Sequence, residues 1–243
     1  MTLSMTLKGR RALVTGGSRG IGAAIVRRLT RDGARVVFSY RAAKSAADAL
    51  VEEFPGTVAV RADQEDPVSL DALFEPVADG LDILVNNAAL VPKTPIRDIT
   101  PEFFDRVMLV NAKYPLMAMR RAEPLMPDGG RIVNISTLNT VLPMAELALY
   151  SGSKAALEQF TAVAAREFGA RDITVNTVSP GATDTAALRV GNSPESLEQT
   201  SAFTALGRIG KPADIADVVA FLAGPDARWI TGQNIRATGG LLL

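Results

Sequence analysis

Hydrophobic and polar positions follow two rhythms along this chain. Short apolar runs occur at 11–15, 34–39, 57–62, 81–85, 130–135, 172–178 and 233–236, each bounded by turn-forming residues. They read as seven strands. Between them apolar residues recur at helical spacing. Ile21, Ile25 and Leu29 share one face, with Arg27, Arg28 and Arg31 elsewhere. Further helices are predicted over 42–54, from the Asp66-Pro67 cap to about Val77, over 101–126 with interruptions at Pro115 and Pro124, and over 154–168, 195–203 and 212–222. Strand and helix alternate throughout. That order predicts an α/β, doubly wound sandwich: a seven-stranded parallel sheet with helices on both faces. No repeat, linker or composition break divides it, so one domain over 1–243 is expected. The polar, weakly patterned stretch around 185–205 reads as a lid.

Ligands of such sheets bind beyond the carboxyl ends of the strands. Several marked segments fall there. After the first strand come Gly16, Gly17, Ser18, Arg19, Gly20, Ile21 and Gly22, and then a helix. Glycines let backbone approach a pyrophosphate, and the helix start presents free N–H groups to it. The spacing is G-x-x-x-G-x-G, and a tight turn without a ligand has the same appearance. From Gly33 to Ala47 there is no Asp or Glu; Ser39, Tyr40, Arg41 and Lys44 lie there, and Arg19 is in the glycine loop. An acid would repel a 2′-phosphate, whereas Arg can pair with it, so NADP(H) is favoured over NAD(H). The same cations also fit a solvated helix start. Asp63 and Gln64 end the third strand, where a side chain could meet an adenine. Asn86, Asn87, Ala88 and Ala89 follow the fourth. Ser136 and Thr137 follow the fifth, and Pro180 and Gly181 the sixth.

Composition narrows the chemistry. Lys plus Arg and Asp plus Glu are 26 each, which argues against a general nucleic-acid or anionic-membrane binder. There is no Cys and no His, so thiolate nucleophiles, Ser-His-Asp catalysis and the usual zinc sites are excluded, and no metal is expected. Proton transfer is left to Tyr, Lys, carboxylates and hydroxyls. No apolar run reaches the ~18 residues of a membrane span, and 1–11 lacks a signal-peptide core, so a cytoplasmic enzyme is expected. Tyr150 and Lys154 are four apart, one turn on a helical face. A phenol titrates near ~10, and a fixed ammonium nearby would pull that value down. Taken alone, the pair also fits a helix start with a half-buried Tyr and a solvated Lys. Asn111 lies mid-helix, where Asn is ordinarily solvent-facing.

In this order and spacing, Thr15 to Gly22, Asp63, Asn86 to Ala89, Asn111, Ile132 to Thr137, Tyr150-x-x-x-Lys154 and Pro180-Gly181 closely resemble the short-chain dehydrogenase/reductases, in the branch that includes 3-oxoacyl-[acyl-carrier-protein] reductases. The resemblance covers essentially the whole chain. It implies a Rossmann-like fold and an NADPH-dependent reduction of a ketone or 3-oxoacyl carbonyl, with Tyr150 as proton donor. Lys154 would lower the Tyr150 pKa and hold the nicotinamide ribose. Asn111 would help bind a relay water. Asn87, Ala88 and Ala89 would line the adenosine ribose side, and Pro180, Gly181, Thr183 and Thr185 would orient the carboxamide and pyrophosphate. The family's catalytic Ser falls thirteen residues before the Tyr, where this chain has Thr137; Ser136 is the fallback. Ala89 replaces the usual Gly of N-N-A-G, Thr183 a branched aliphatic, and Ala237-Thr238 precedes the final glycines. Oxidation of a secondary alcohol, sugar or ring diol uses the same residues, and a non-catalytic nucleotide-binding sensor shares the fold. Family members are commonly homodimers or homotetramers. The Leu241–Leu243 tail is expected to pack against a subunit or fold back on its own core.

Overall fold

The period-two alternation of the apolar runs builds two cores on one sheet. Ala12 and Val14, Val36 and Phe38, Ile83 and Val85, and Val133 and Ile135 face one side, while Leu13, Val37, Leu84 and Ile132 face the other. The computed structural model describes residues 6–241. Its strands are β1 (Arg11–Val14), β2 (Arg35–Tyr40), β3 (Val58–Arg61), β4 (Ile83–Asn86), β5 (Arg131–Ile135), β6 (Thr174–Pro180) and β7 (Asn234–Ala237). They form one sheet in the order β3-β2-β1-β4-β5-β6-β7, and every pairing is parallel. The order reverses between β1 and β4, which places the ligand crevice over their carboxyl ends.

Helices α1 (Gly20–Arg31), α2 (Lys44–Glu53) and α9 (Pro212–Ala223) cover the first face; α3 (Ser69–Phe74), α5 (Tyr114–Ala122) and α6 (Ala148–Phe168) cover the second. The predicted 101–126 helix is three pieces. α4 (Pro101–Met108), capped by Thr100, runs through a π-helical turn at Leu109–Lys113 into α5. Pro115 does not end the helix. It lacks an N–H, and the widened turn just before it absorbs the lost bond. α6 begins at Ala148, so Tyr150 and Lys154 share a helix. The stretch 185–205 holds two helices, α7 (Ala186–Val190) and α8 (Pro194–Phe203), where one was expected. Leu242 and Leu243, and with them most of the tail expectation, lie outside the described residues, as do residues 1–5.

A polar network ties the sheet to α6. Asn86 donates to Asn134 Oδ1 at 2.9 Å, Asn134 donates to Thr161 Oγ1 at 2.8 Å, and Thr177 donates to Thr161 Oγ1 at 3.0 Å. All four are buried. Deleting the middle member strands its partners in a dry core. Asn134→Ala should therefore cost about 2–4 kcal/mol in urea unfolding; a change below about 0.5 kcal/mol would contradict the network's role.

Candidate active site

Three consecutive residues at the end of β5 meet three side chains of α6. The Lys154 ammonium donates to the Ile135 carbonyl at 2.7 Å. The Ser136 hydroxyl donates to Glu158 Oε1 at 2.6 Å. The Thr137 side chain lies beside the Tyr150 phenol and favours its ionised form against burial. Alternation explains the division: Ser136 has the parity of Asn134, which also points at α6, so Ser136 is committed to Glu158. Thr137, at the turn beyond the strand, is the hydroxyl that faces Tyr150. It also exchanges hydrogen bonds with Asn139.

The electrostatics differ from expectation in one respect. Burial pushes the Tyr150 phenol up, and the Thr137 side chain only partly offsets this. The Lys154 ammonium is turned onto the Ile135 carbonyl. Lys154 is 1% exposed, and burial lowers it to about 8, against an upward pull from Glu158. Asn111 is also placed unexpectedly. It is fully buried rather than solvent-facing: its amide donates to Leu90 O at 2.8 Å and Ser153 Oγ at 3.0 Å, and its Oδ1 accepts from Leu90 N at 2.8 Å. The side chain thus ties the loop after β4 to α6. Because Pro115 has no N–H, the Asn111 carbonyl lacks its ordinary helical partner.

The crevice fits a dinucleotide. Arg19 precedes α1 in extended conformation without a side-chain cap, and no acid stands in the first turn, so the helix start keeps free N–H groups for an anion. A Cβ on Gly22 would lie 2.1 Å from Gly16 O, and one on Gly20 3.3 Å from Thr185 Cγ2. Glycine therefore keeps this loop low and brings the lid's root beside it. Ser18 and Ile21 are half-buried within the turn, Ile21 packing on the core. Asn87 spends its amide on Thr15 O and Gly16 O, and Ala88 N donates to Thr15 Oγ1, which lashes the β4 loop to the glycine loop. Ala89 is outside the positive-φ residues, so replacing Gly there carries no backbone strain.

Ser39 is buried beneath the loop and accepts the Gly16 N–H at 2.9 Å, so its hydroxyl shapes the cradle rather than facing a ribose. Lys44 is paired within α2 to Asp48. Tyr40 packs half-buried at the β2 end. Arg41 reaches Glu65 at 3.0 Å, and exposed Arg19 makes no ion pair among the described residues. Asp63 caps its own turn through Glu65 N, while the buried amide of Gln64 has no partner among the described residues. Pro180 ends β6. Gly181 N donates to Ala237 O, Thr183 Oγ1 donates to Gly181 O, and Thr185 caps α7.

The chain matches the family model described as enoyl-(acyl carrier protein) reductase over residues 16–242. It is similar to the angucycline C-6 ketoreductase LanV, solved with bound NADP, at 44% identity and TM-score 0.92, covering 98% of this chain and 97% of that one. The chain belongs to the short-chain dehydrogenase/reductase family. Another family structure is LugOII, titled a promiscuous reductase that catalyses keto-reduction at C1 during lugdunomycin biosynthesis, at 43% identity and TM-score 0.91, covering 98% of this chain and all of that one. The cyclic-di-GMP-binding biofilm dispersal mediator protein of Escherichia coli is 41% identical over 92% of this chain and 93% of its own length. This short-chain dehydrogenase/reductase thus aligns along nearly its full length with the relatives it matches.

Two features escaped the sequence reading. Glu158 looked like an ordinary polar position of an amphipathic helix, although its i,i+4 spacing from Lys154 was a signal. Lys93 donates to Gly191 O at 2.7 Å, linking the β4 loop to the lid, and nothing in the pattern marked it. The buried ammonium carries a stability consequence. Its folded pKa lies below its ordinary 10.5, so its charging cost is full below about pH 8 and fades as pH rises toward 10.5. Lys154→Met should be more stable than wild type by about 1–3 kcal/mol at pH 7, with the difference vanishing by pH ~10.5. Denaturant melts across that range check it; a less stable variant at pH 7 would contradict it.

Proposed function

We propose that this chain is an NADPH-dependent carbonyl reductase. The observation that carries this is the placement of Tyr150 and buried Lys154 one turn apart on α6, with Thr137 beside the phenol, at the edge of a cradle shaped for a dinucleotide. When bound, NADPH supplies the hydride that adds to the carbonyl carbon. Thr137 orients the carbonyl oxygen and stabilises the charge that develops on it. Tyr150 delivers the proton to that oxygen. A phenol poised for this at neutral pH must be stabilised as phenolate by about 4 kcal/mol relative to its ordinary value of ~10, more where burial raises it. Lys154, one turn along α6 from Tyr150, would provide this and also hold the nicotinamide ribose hydroxyls. Asn111 fixes the π turn, and its carbonyl is free to hold a water that returns protons toward Lys154. Gly16 to Gly22 would hold the pyrophosphate, Asp63 and Gln64 the adenine, Asn87 to Ala89 the adenosine ribose side, and Arg41 with Arg19 a 2′-phosphate. Backbone from Pro180 to Thr183, with Thr185, would orient the nicotinamide end.

The substrate reading is a polycyclic aromatic ketone, in line with the names of LanV and LugOII. The loops beyond β4, β5 and β6 meet: Thr94 N donates to Glu146 O, and Lys93 reaches Gly191 O. They leave Val91, Ile96, Met144, Val190 and Phe203 exposed, an apolar rim suited to a flat ring system. The segment 185–205 acts as the lid of a single domain. Exposed Phe104, Val163, Phe221 and Trp229 support a homodimer or homotetramer. Among the described residues no helix is long and apolar enough to cross a membrane, in keeping with a cytoplasmic enzyme.

The test is turnover of NADPH and NADH with polycyclic ketones, 3-oxoacyl thioesters and enoyl thioesters, together with binding of cyclic-di-GMP. Ketone reduction preferring NADPH is expected. Tyr150→Phe should lower kcat at least ~10³-fold while changing the NADPH Kd less than about threefold. Near-normal turnover in that variant, or cyclic-di-GMP binding with no turnover of any substrate, would overturn the reading.

A further inference from the structure

Glu158 is a carboxylate beside the reaction centre to which the mechanism above gives no task. Its Oε1 accepts from Ser136 Oγ at 2.6 Å, and Ser179 Oγ lies 3.4 Å from the same oxygen. Ser136 lies between Ile135, whose carbonyl holds the Lys154 ammonium, and Thr137, which faces Tyr150. Ser179 belongs to β6, next to Pro180, and donates to Asn234 Oδ1 of β7 at 2.7 Å. The carboxylate therefore holds the end of β5, next to β6, from a point on α6 one turn beyond Lys154.

We propose that Glu158 is a positioning residue of the reaction centre: its bond to Ser136 turns the end of β5 so that Thr137 faces Tyr150, and its carboxylate, one helical turn along α6, is the anion set beside the buried Lys154 ammonium. This rests on the carbonyl-reductase reading for its kinetic consequences, though not for its electrostatics. A Ser136 hydroxyl released from Glu158 would be free to rotate, and the turn that aims Thr137 would lose its anchor on α6. Lys154 is faced by Tyr150 and Glu158 from its own helix. β5 contributes the Ile135 carbonyl, and the π turn contributes neutral Asn111 by way of Ser153. Among the described residues Glu158 is the one charged group that acts on Lys154 against burial. An ammonium this deeply buried depends on such a neighbour to stay charged at neutral pH.

The experiment is an NMR titration of ¹³Cε-lysine-labelled protein, with the Lys154 signal assigned by Lys154→Arg, in wild type and Glu158→Gln. The wild-type midpoint should lie near 8, and E158Q, which keeps an acceptor for Ser136 but loses the charge, should move it down by about one pH unit. In the NADPH assay E158Q should keep its low-pH kcat within about twofold, with its alkaline fall displaced by the same amount. Glu158→Leu should lose about tenfold in kcat with an NADPH KM within about twofold. Should E158L fail to fold, Ser136→Ala removes the same bond from the other side and should cost about threefold to tenfold in kcat without moving the Lys154 titration. An unshifted Lys154 midpoint in E158Q, or wild-type kcat in the variants that lose the Ser136 bond, overturns the proposal. A wild-type protein that turns over no carbonyl fails the function reading, while the titration still judges Glu158.

Discussion

The reaction centre depends on a buried ammonium held against a strand end. Lys154 donates to the Ile135 carbonyl with almost no exposure to water, and that contact fixes how α6 lies over the carboxyl edge of β5. Burying a cation is unfavourable unless it is satisfied. Here a strand carbonyl and a carboxylate one helical turn away provide that satisfaction. Because the contact is specific in geometry, it also fixes Tyr150 one turn earlier on the same helix and brings it to Thr137. The Asn86-Asn134-Thr161-Thr177 network secures the same helix deeper in the core. Stability is thus spent near the site to hold functional groups in one arrangement.

Much of the fold was legible because alternation and helical spacing are strong signals over long segments. The seven strands, their parallel order and the placement of every marked loop at one edge of the sheet follow from that pattern. What was not legible depended on packing. Pro115 reads as a helix interruption, yet the chain passes it through a π turn because Asn111 is locked to Leu90 and Ser153. No local propensity encodes that tertiary tie. The lid appeared as one short helix because a single glycine-rich break at Gly191 and Asn192 separates two helices of weak amphipathicity.

The candidate site was legible in identity and less so in role. Tyr150 and Lys154 share one helix as their spacing implied, and strand parity turns Ser136 toward Glu158. The position of Ser39 at the end of β2 gave no sign that its hydroxyl would be used from beneath by the Gly16 N–H. The cationic end of β2 is likewise more hedged by charge than the sequence suggested. Arg41 shares Glu65 with Arg106, so a 2′-phosphate would compete with an exposed ion pair that solvent already screens. Such a pair rearranges at low cost, and Arg41 stays available to an anion.

The central claim is that Thr137, aimed by the contacts between α6 and β5, is the hydroxyl that works with Tyr150. It is tested most directly by comparing kcat for NADPH-dependent ketone reduction in Thr137→Ala and Ser136→Ala. The account predicts a loss of about 10²–10³-fold for T137A, the size expected for removing a donor to a developing oxyanion, and at most about tenfold for S136A. The reverse order, with S136A the more damaged, would contradict it.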